Sequence, residues 1–403
     1  MISDLTFNQI EKIINNNLII KEYEKKKWGQ VFTPIIVINK ILDNLPNEVY
    51  KNPYLKWLDP CAGIGNFMII IYYRLMKGLE NFILDSQKRS NYIIENMLFM
   101  IELNKDNVEI GKSIFGKKCN FYYKDFLLFN NENNKEFDII IGNPPFQLIN
   151  GKGGKNKLYE KMVNKSLQLL KSGGFLSMLV PDNLFGGNFS ITYLELIKYN
   201  IKYINFSNFW TKSFEKIQQP ICCFLLEKIP NNDNICFIFN DYLQLNKIEL
   251  SLINRPVNPI RKWTFETEYL INKYLQINKN NSVYNRGKNI EFYSNTYSSN
   301  SYPIIYSPNK KLYTLDKQLA VGYLIKKIII FIINTKNEFY IDWNGEYGVG
   351  PNTIYIPFDN LNQGKKFDLF FNSEIYKELM FSCKICRQFI KVGVIQYLNL
   401  DVI

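Results

Sequence analysis

An α/β fold, an open and largely parallel sheet followed by a smaller region of mixed α+β structure, is predicted from three observations. In the first half of the chain, short apolar segments suited to buried strands alternate with segments of helical periodicity. Glycines, prolines and acidic residues gather where those strands end. After about residue 230 the alternation gives way to short strands, turns and text rich in asparagine and tyrosine. The 403 residues are enough for two separate cores, and the change of pattern divides the chain into 1–230 and 231–403.

Taken in order, "YLKWLD" reads as a strand ending at Asp59, and "GNFMIIIYYRLMKGL" as the helix after it. The second strand, "MLFMIEL", ends near Glu102 and is followed by the helical "NKDNVEIGKSIF". "CNFYYKD" is the third strand and "FDIIIGN" the fourth. "KLYEKMVNKSLQLLKSGG" has apolar residues at helical spacing and a double glycine suited to a C-terminal cap, and "FLSMLVP" is a fifth buried strand. "QQPICCFLLEKI" returns to the sheet.

Composition narrows the chemistry. A formal charge of +12 suits a polyanionic partner such as nucleic acid, but the abundance of Ile, Asn, Lys, Tyr and Phe also matches AT-rich coding, so charge alone does not decide. The absence of histidine removes histidine bases and most zinc sites. Seven scattered cysteines include one close pair, Cys383 and Cys386, with no second pair or histidine to complete a metal site, so both read as core or face positions of a helix and no metal is expected. The N-terminus lacks a basic, apolar, small-residue succession, and apolar runs such as "VGYLIKKIIIFII" are broken by charge. A reducing, cytoplasmic or other intracellular compartment is expected.

In an open α/β sheet, ligands bind outside the carboxyl ends of the strands. The turn "WLDPCAGIGNF" places Asp59, Pro60, Gly63 and Gly65 there, and glycines allow close backbone approach to a ligand, although such turns also serve nucleotides, flavins and plain packing. Glu102 closes the second strand, where a carboxylate can accept from two ribose hydroxyls; Asp125 closes the third, where an acceptor can meet an adenine amine. Each acid alone reads as well as a solvated strand end. The fourth strand stops at Asn143, Pro144, Pro145 and Phe146: prolines cannot continue a sheet, and Pro144 biases Asn143 to an extended backbone. This stiff loop offers the Asn143 side-chain oxygen and the Pro144 carbonyl as acceptors for the two hydrogens of an amine, and the Phe146 ring for stacking on a flat base.

In this order "WLDPCAGIGNF", "IEL", "YKDFL" and "IIIGNPPFQ" resemble the S-adenosylmethionine-dependent amino-methyltransferases, and specifically the gamma-class N6-adenine DNA methyltransferases of the TaqI-like group. The resemblance covers about residues 28 to 228 and implies a Rossmann-like seven-stranded methyltransferase sheet followed by a target-recognition domain. Upstream, "WGQVFTP" resembles the motif that meets the methionine part of the cofactor through Phe32, Thr33 and Pro34, while Thr33 as N-cap and Pro34 as first helical residue also make a good helix start. The resemblance assigns Asp59, Pro60, Ala62, Gly63 and Gly65 to the methionine and ribose, Glu102 with Leu103 to the ribose hydroxyls, and Asp125 with Phe126 to the cofactor adenine. By the same resemblance Asn143 would touch both cofactor and target, and Phe146 and Phe214 would stack on the target base. The implied reaction is methyl transfer from S-adenosylmethionine to N6 of an adenine flipped out of double-stranded DNA, by positioning and without a strong base. Two departures stand out: the family commonly has tyrosine at Phe146, and the distance from Gly65 to Glu102 is long, with "NFILDSQKRSNY" reading as an insertion.

Beyond residue 230, "SPNKKLYTL" and "NGEYGVGPNTIYI" resemble elements of target-recognition domains, where lysines hold phosphates and amides read adenine edges. The implied partner is double-stranded DNA, met by a monomer with no membrane attachment, and a cognate restriction endonuclease in the same host is compatible with it. Two alternatives remain open from the residues: an Asn-Pro-Pro loop also serves methyltransferases of protein glutamine amides or RNA guanine, and a methyltransferase-like subunit can bind DNA without catalysis.

Overall fold

A computed structural model describes residues 2, 9, 12, 33–129, 136–146, 157–187, 190–214, 219–232, 235–241, 248–251, 253–280, 283, 290–331, 338–383 and 392–403. The chain divides into two compact units, Met1–Leu184 with Ile191–Ile253, and Phe185–Ser190 with Asn254–Ile403.

The first unit is an α/β domain built on one mixed sheet. Its strands are β1 (Trp57–Asp59), β2 (Leu98–Glu102), β3 (Asn120–Tyr123), β4 (Phe137–Gly142), β5 (Leu170–Pro181), β6 (Tyr199–Asn205), β7 (Ile221–Pro230), β8 (Ile235–Phe239) and β9 (Ile248–Ser251). They run in the order β3-β2-β1-β4-β5-β7-β6-β8-β9. Strands β1 to β5 are mutually parallel, and β7 returns antiparallel between β5 and β6. The parallel strands β1, β2 and β4 are almost entirely buried, as strands covered on both faces must be, which explains their unbroken apolar text. The helices named here are α1 (Ile35–Leu42), α2 (Asn66–Gly78), α3 (Ser86–Tyr92), α4 (Lys105–Phe115), α5 (Leu158–Leu169), α6 (Ile191–Leu196) and α7 (Asn208–Lys212). The sequence "NFILDSQKRSNY" ends with the whole of α3, which continues as a π-helical turn over Ile93–Met97. This accounts for the long Gly65–Glu102 interval.

Three expectations need correction. Gly173 and Gly174 do not cap α5; the strand already starts at Leu170, and the glycines form an irregularity where the β4–β5 register jumps from Phe137↔Leu170 to Ile139↔Phe175. Gly173 has φ +75°, and a Cβ on Gly174 would lie 2.7 Å from the Asp138 carbonyl, so the bulge demands both glycines. The seven-stranded sheet carries two further strands, because β8 pairs parallel to β6 and β9 pairs with β8. For the same reason the division between units falls after Ile253, and not at 230.

The second unit contains two three-stranded sheets. One has the order β11-β10-β14, from β10 (Tyr302–Ser307), β11 (Lys310–Thr314) and β14 (Gly348–Val349). The other has the order β13-β12-β15, from β12 (Lys327–Phe331), β13 (Phe339–Asp342) and β15 (Thr353–Pro357). Helices α8 (Phe265–Tyr274), α9 (Leu361–Asn372), α10 (Glu374–Ser382) and α11 (Val392–Gln396) complete it. A fully buried ion pair, Lys327 Nζ to Asp342 Oδ2 at 2.6 Å, joins β12 to the end of β13, and the same carboxylate accepts from the backbone N–H groups of Glu346 and Tyr347. Cys383 is buried in this unit's core, and Cys386 lies outside the described residues.

Candidate functional site

The carboxyl ends of β1, β2 and β4 lie side by side, with β1 between the other two. This is the point where successive connections leave in opposite directions along the sheet, and ligands of such sheets gather there.

Asp59 ends β1 with 1% of its surface exposed. Its Oδ1 accepts from the Cys61 N–H at 3.1 Å, shaping the turn that follows. Burial, with the Glu102 charge adding to it, pushes the Asp59 carboxyl up to about 7. Pro60 and Ala62 are buried in the turn, and the Ala62 N–H donates to the Ile101 carbonyl of β2 at 3.0 Å. Gly63 and Gly65 both take the left-handed conformation, with φ +57° and +100°. A Cβ on Gly65 would come within 2.7 Å of the Phe115 ring, so the turn is pressed onto α4.

Glu102 ends β2 and is held by two backbone donors, Gly63 N–H to Oε2 at 2.9 Å and Asn104 N–H to Oε1 at 2.7 Å. Burial raises its pKa, and these N–H groups oppose the shift. The next residue, Leu103, is 45% exposed, an apolar surface beside a carboxylate. Asp125 follows β3, and its Oδ1 caps a short 3-10 turn by accepting from Leu127 N–H at 2.9 Å. Its neighbour Phe126 is buried.

The loop after β4 brings the third group. Gly142 passes so close to Asp59 that an added Cβ would lie 2.9 Å from Oδ1. Asn143 then donates from Nδ2 to the Thr33 hydroxyl at 3.2 Å, which leaves its Oδ1 without a partner among the described residues. Pro144 is buried, Pro145 half-buried, and the half-buried Phe146 ring meets Tyr159 edge-on at 6.4 Å between centroids. Tyr159 is itself fixed by a 3.0 Å hydrogen bond to Asn183 Oδ1.

Thr33 does not cap α1. Pro34 occupies the N-cap, its carbonyl accepting from Val37 and Ile38, so the Thr33 hydroxyl is spared for Asn143. Phe32 lies outside the described residues. Phe214, assigned by resemblance to the target base, is 6% exposed and belongs to the hydrophobic core with Trp210, Leu179 and Ile221. The structure therefore unites Thr33, Asp59, the glycine turn, Glu102 and Asn143, and leaves the Phe214 ring covered.

Two residues next to this group escaped the sequence reading. Asn66 opens α2 directly after Gly65, is buried, and has neither amide atom bonded among the described residues. Its place in "GIGNF" was a signal, since a polar residue inside an apolar helix needs a reason. Tyr159 had none: nothing in "KLYEKM" separates it from an ordinary helix residue. Burial and the two acids push the Cys61 thiol well above its usual range, so it is no nucleophile. Among the described residues no cluster of His, Cys, Asp or Glu could hold a metal, and no helix is long and apolar enough to cross a membrane.

An uncharacterized adenine-specific methylase of Mycoplasma pneumoniae is 28% identical over 295 residues, covering 52% of this chain and 69% of that protein. The Type II methyltransferase M.VspI of a Vibrio species is 24% identical over 183 residues, and the match covers 41% of this chain but only 40% of that protein. The fold is similar to the Type IIL restriction-modification enzyme MmeI in complex with DNA, at a TM-score of 0.60 and 12% identity, covering 96% of this chain and 69% of that one. At such identity the likeness concerns the fold. The family model for the Eco57I restriction-modification methylase matches residues 3–214, more than half of the 403 residues, and the chain belongs to that family.

Proposed function

We propose that the chain transfers a methyl group from S-adenosylmethionine to N6 of an adenine flipped out of double-stranded DNA, as a gamma-class enzyme of the TaqI-like group. The observation that carries this reading is the Asn143 side chain at the end of β4, an oriented amide whose oxygen has no partner among the described residues, beside the buried Asp59. Family membership and the adenine-specific relative support the same reaction.

The residues suit the cofactor. The buried Asn66 amide has no partner among the described residues, and Asp59 and Glu102 offer carboxylates to ammonium and hydroxyl groups. Leu103 gives an apolar surface at the same edge. When bound, the cofactor supplies an electrophilic methyl on its sulfonium. The adenine amine is a weak nucleophile because its lone pair is delocalised into the ring. Asn143 Oδ1 and the Pro144 carbonyl accept its two hydrogens, favour a pyramidal nitrogen and aim the lone pair. Phe146 is the stacking platform for the extruded base, with Tyr159 steadying the ring from its edge.

The second unit is proposed to recognise the DNA target. The two segments singled out there share one sheet, since β10 pairs with both β11 and β14, and Lys311 Nζ lies 2.6 Å from the Tyr347 hydroxyl. Exposed lysines such as Lys310 and Lys311 would meet phosphates. We propose that the chain acts as a monomer, and membership of a restriction-modification family motivates a cognate endonuclease as a further partner.

The test is methyl-labelled S-adenosylmethionine offered with DNA, RNA or protein, followed by digestion and chromatography. Label in N6-methyladenine from DNA is the expected product. Label in a protein glutamine or in guanine would favour the alternatives.

A further inference from the structure

We propose that Thr33 is a positioning residue for Asn143, and that its hydroxyl fixes the amide plane from which Oδ1 reaches the reacting amine. The inference rests on the proposed amine methylation and adds to it a residue whose task is separate from holding the cofactor.

Asn143 has two freedoms. Its backbone is fixed: Gly142 is pressed against Asp59, and Pro144 restricts Asn143 from the other side. The terminal amide torsion is different, because rotation about a bond to an sp² carbon is broad and the two ends of the amide have nearly the same shape. An inverted amide would present NH2 to the substrate NH2, donor against donor. A tilted one would lose the alignment that lets a carbonyl oxygen accept well.

Thr33 removes that freedom. The Asn143 Nδ2 to Thr33 Oγ1 hydrogen bond, 3.2 Å long, is the side-chain contact that the amide makes among the described residues. Thr33 is 5% exposed and can hardly drift, since Pro34 directly after it caps α1, and α1 is anchored by Val37, Ile38, Ile41 and Leu42, all fully buried. A hydroxyl can donate as well as accept, so Thr33 holds the plane in either polarity; an amine offering only hydrogens then selects the state with Nδ2 toward Thr33 and Oδ1 outward. The helix that begins at Ile35 thus sets the geometry of a loop 110 residues away in sequence.

The test compares Thr33→Val, which keeps the shape and removes the hydroxyl, with Thr33→Ser, which keeps the hydroxyl. Single-turnover methyl transfer to DNA at saturating cofactor, cofactor Kd by calorimetry and thermal midpoint are measured for each, after transfer by the unchanged chain is established; absence of that transfer would count against the proposed function and not against this inference. Thr33→Val should slow the transfer step about tenfold or more, the cost of an unsatisfied amide hydrogen bond carried into the transition state, with cofactor Kd within about twofold. Thr33→Ser should restore most of the rate. If Thr33→Val does not fold, Thr33→Ala carries the same comparison. A rate within twofold of the unchanged chain, a loss confined to cofactor Kd, or equal damage from valine and serine would each overturn the proposal.

Discussion

Replacing Asp59 by asparagine should stabilise the cofactor-free chain at alkaline pH while weakening cofactor binding, and the size of the gain follows from the burial of the carboxylate. Folding raises its pKa from 3.8 to about 7, because burial penalises the charged form and Glu102 adds repulsion. The folded state therefore holds this proton more tightly than the unfolded chain. Stability from it is complete below about pH 4, declines as the pH rises, and is lost once the pH passes about 7. Three pKa units at about 1.36 kcal/mol each give roughly 4 kcal/mol. Asparagine keeps an oxygen for the Cys61 N–H and does not titrate. Glu102 is present in both proteins and cancels to first order. At about 2 to 4 °C per kcal/mol for a unit of this size, the variant should gain on the order of 10 °C over the unchanged chain between pH 4 and 8. Thermal unfolding followed at several pH values, without cofactor, measures the difference. A gap that does not change with pH, or one that moves in favour of the aspartate as the pH rises, would refute the reasoning.

Other consequences are as direct. Gly65→Ala should destabilise the first unit by about 1 to 2 kcal/mol for its left-handed backbone and about 1 to 3 kcal/mol for displacing Phe115, whose ring lies 2.7 Å from the added Cβ; a denaturant midpoint unchanged from the glycine protein would contradict the geometry. Asn66→Leu should not lower, and should even raise, the melting temperature of the free chain, because it removes two buried polar atoms that have no partner among the described residues, yet it should weaken S-adenosylmethionine binding. Loss of stability with unchanged affinity would make Asn66 a structural residue. In the second unit, Lys327→Met leaves Asp342 buried without its cation and should cost about 3 to 5 kcal/mol, whereas a doubly apolar pair should recover most of the loss. Urea titrations of the single and double variants decide this.

How much of this was legible depended on how local the determinants were. Strands β1, β2 and β4 could be read because burial on both faces leaves uninterrupted apolar text, and because each ends on a residue that cannot continue a strand or has no business inside one. The glycine turn, Asp59, Glu102 and Asn143 followed from those ends. What escaped depends on contacts distant in sequence. Nothing near Thr33 announces a partner 110 residues later, and "FTP" reads as a cap because Ser and Thr usually are caps. The double glycine reads as a helix end until Gly174 is seen against the Asp138 carbonyl. Strands β8 and β9 are five and four residues long, too short to be recognised against their asparagine-rich surroundings. Phe214 is the reverse case: resemblance in loosely matching text gives this aromatic to the target base, while its ring is packed in the core.

Methylation of adenine in DNA by the Asn143 loop is read directly by sequencing, with a method that detects modified bases on single molecules, the DNA of cells expressing either the unchanged chain or Asn143→Ala. N6-methyladenine should appear at one recurring sequence context with the unchanged chain, and nowhere with Asn143→Ala although the variant folds and binds S-adenosylmethionine within a few fold. Adenine methylation that persists in Asn143→Ala, or a modification found only on cytosine, would contradict it.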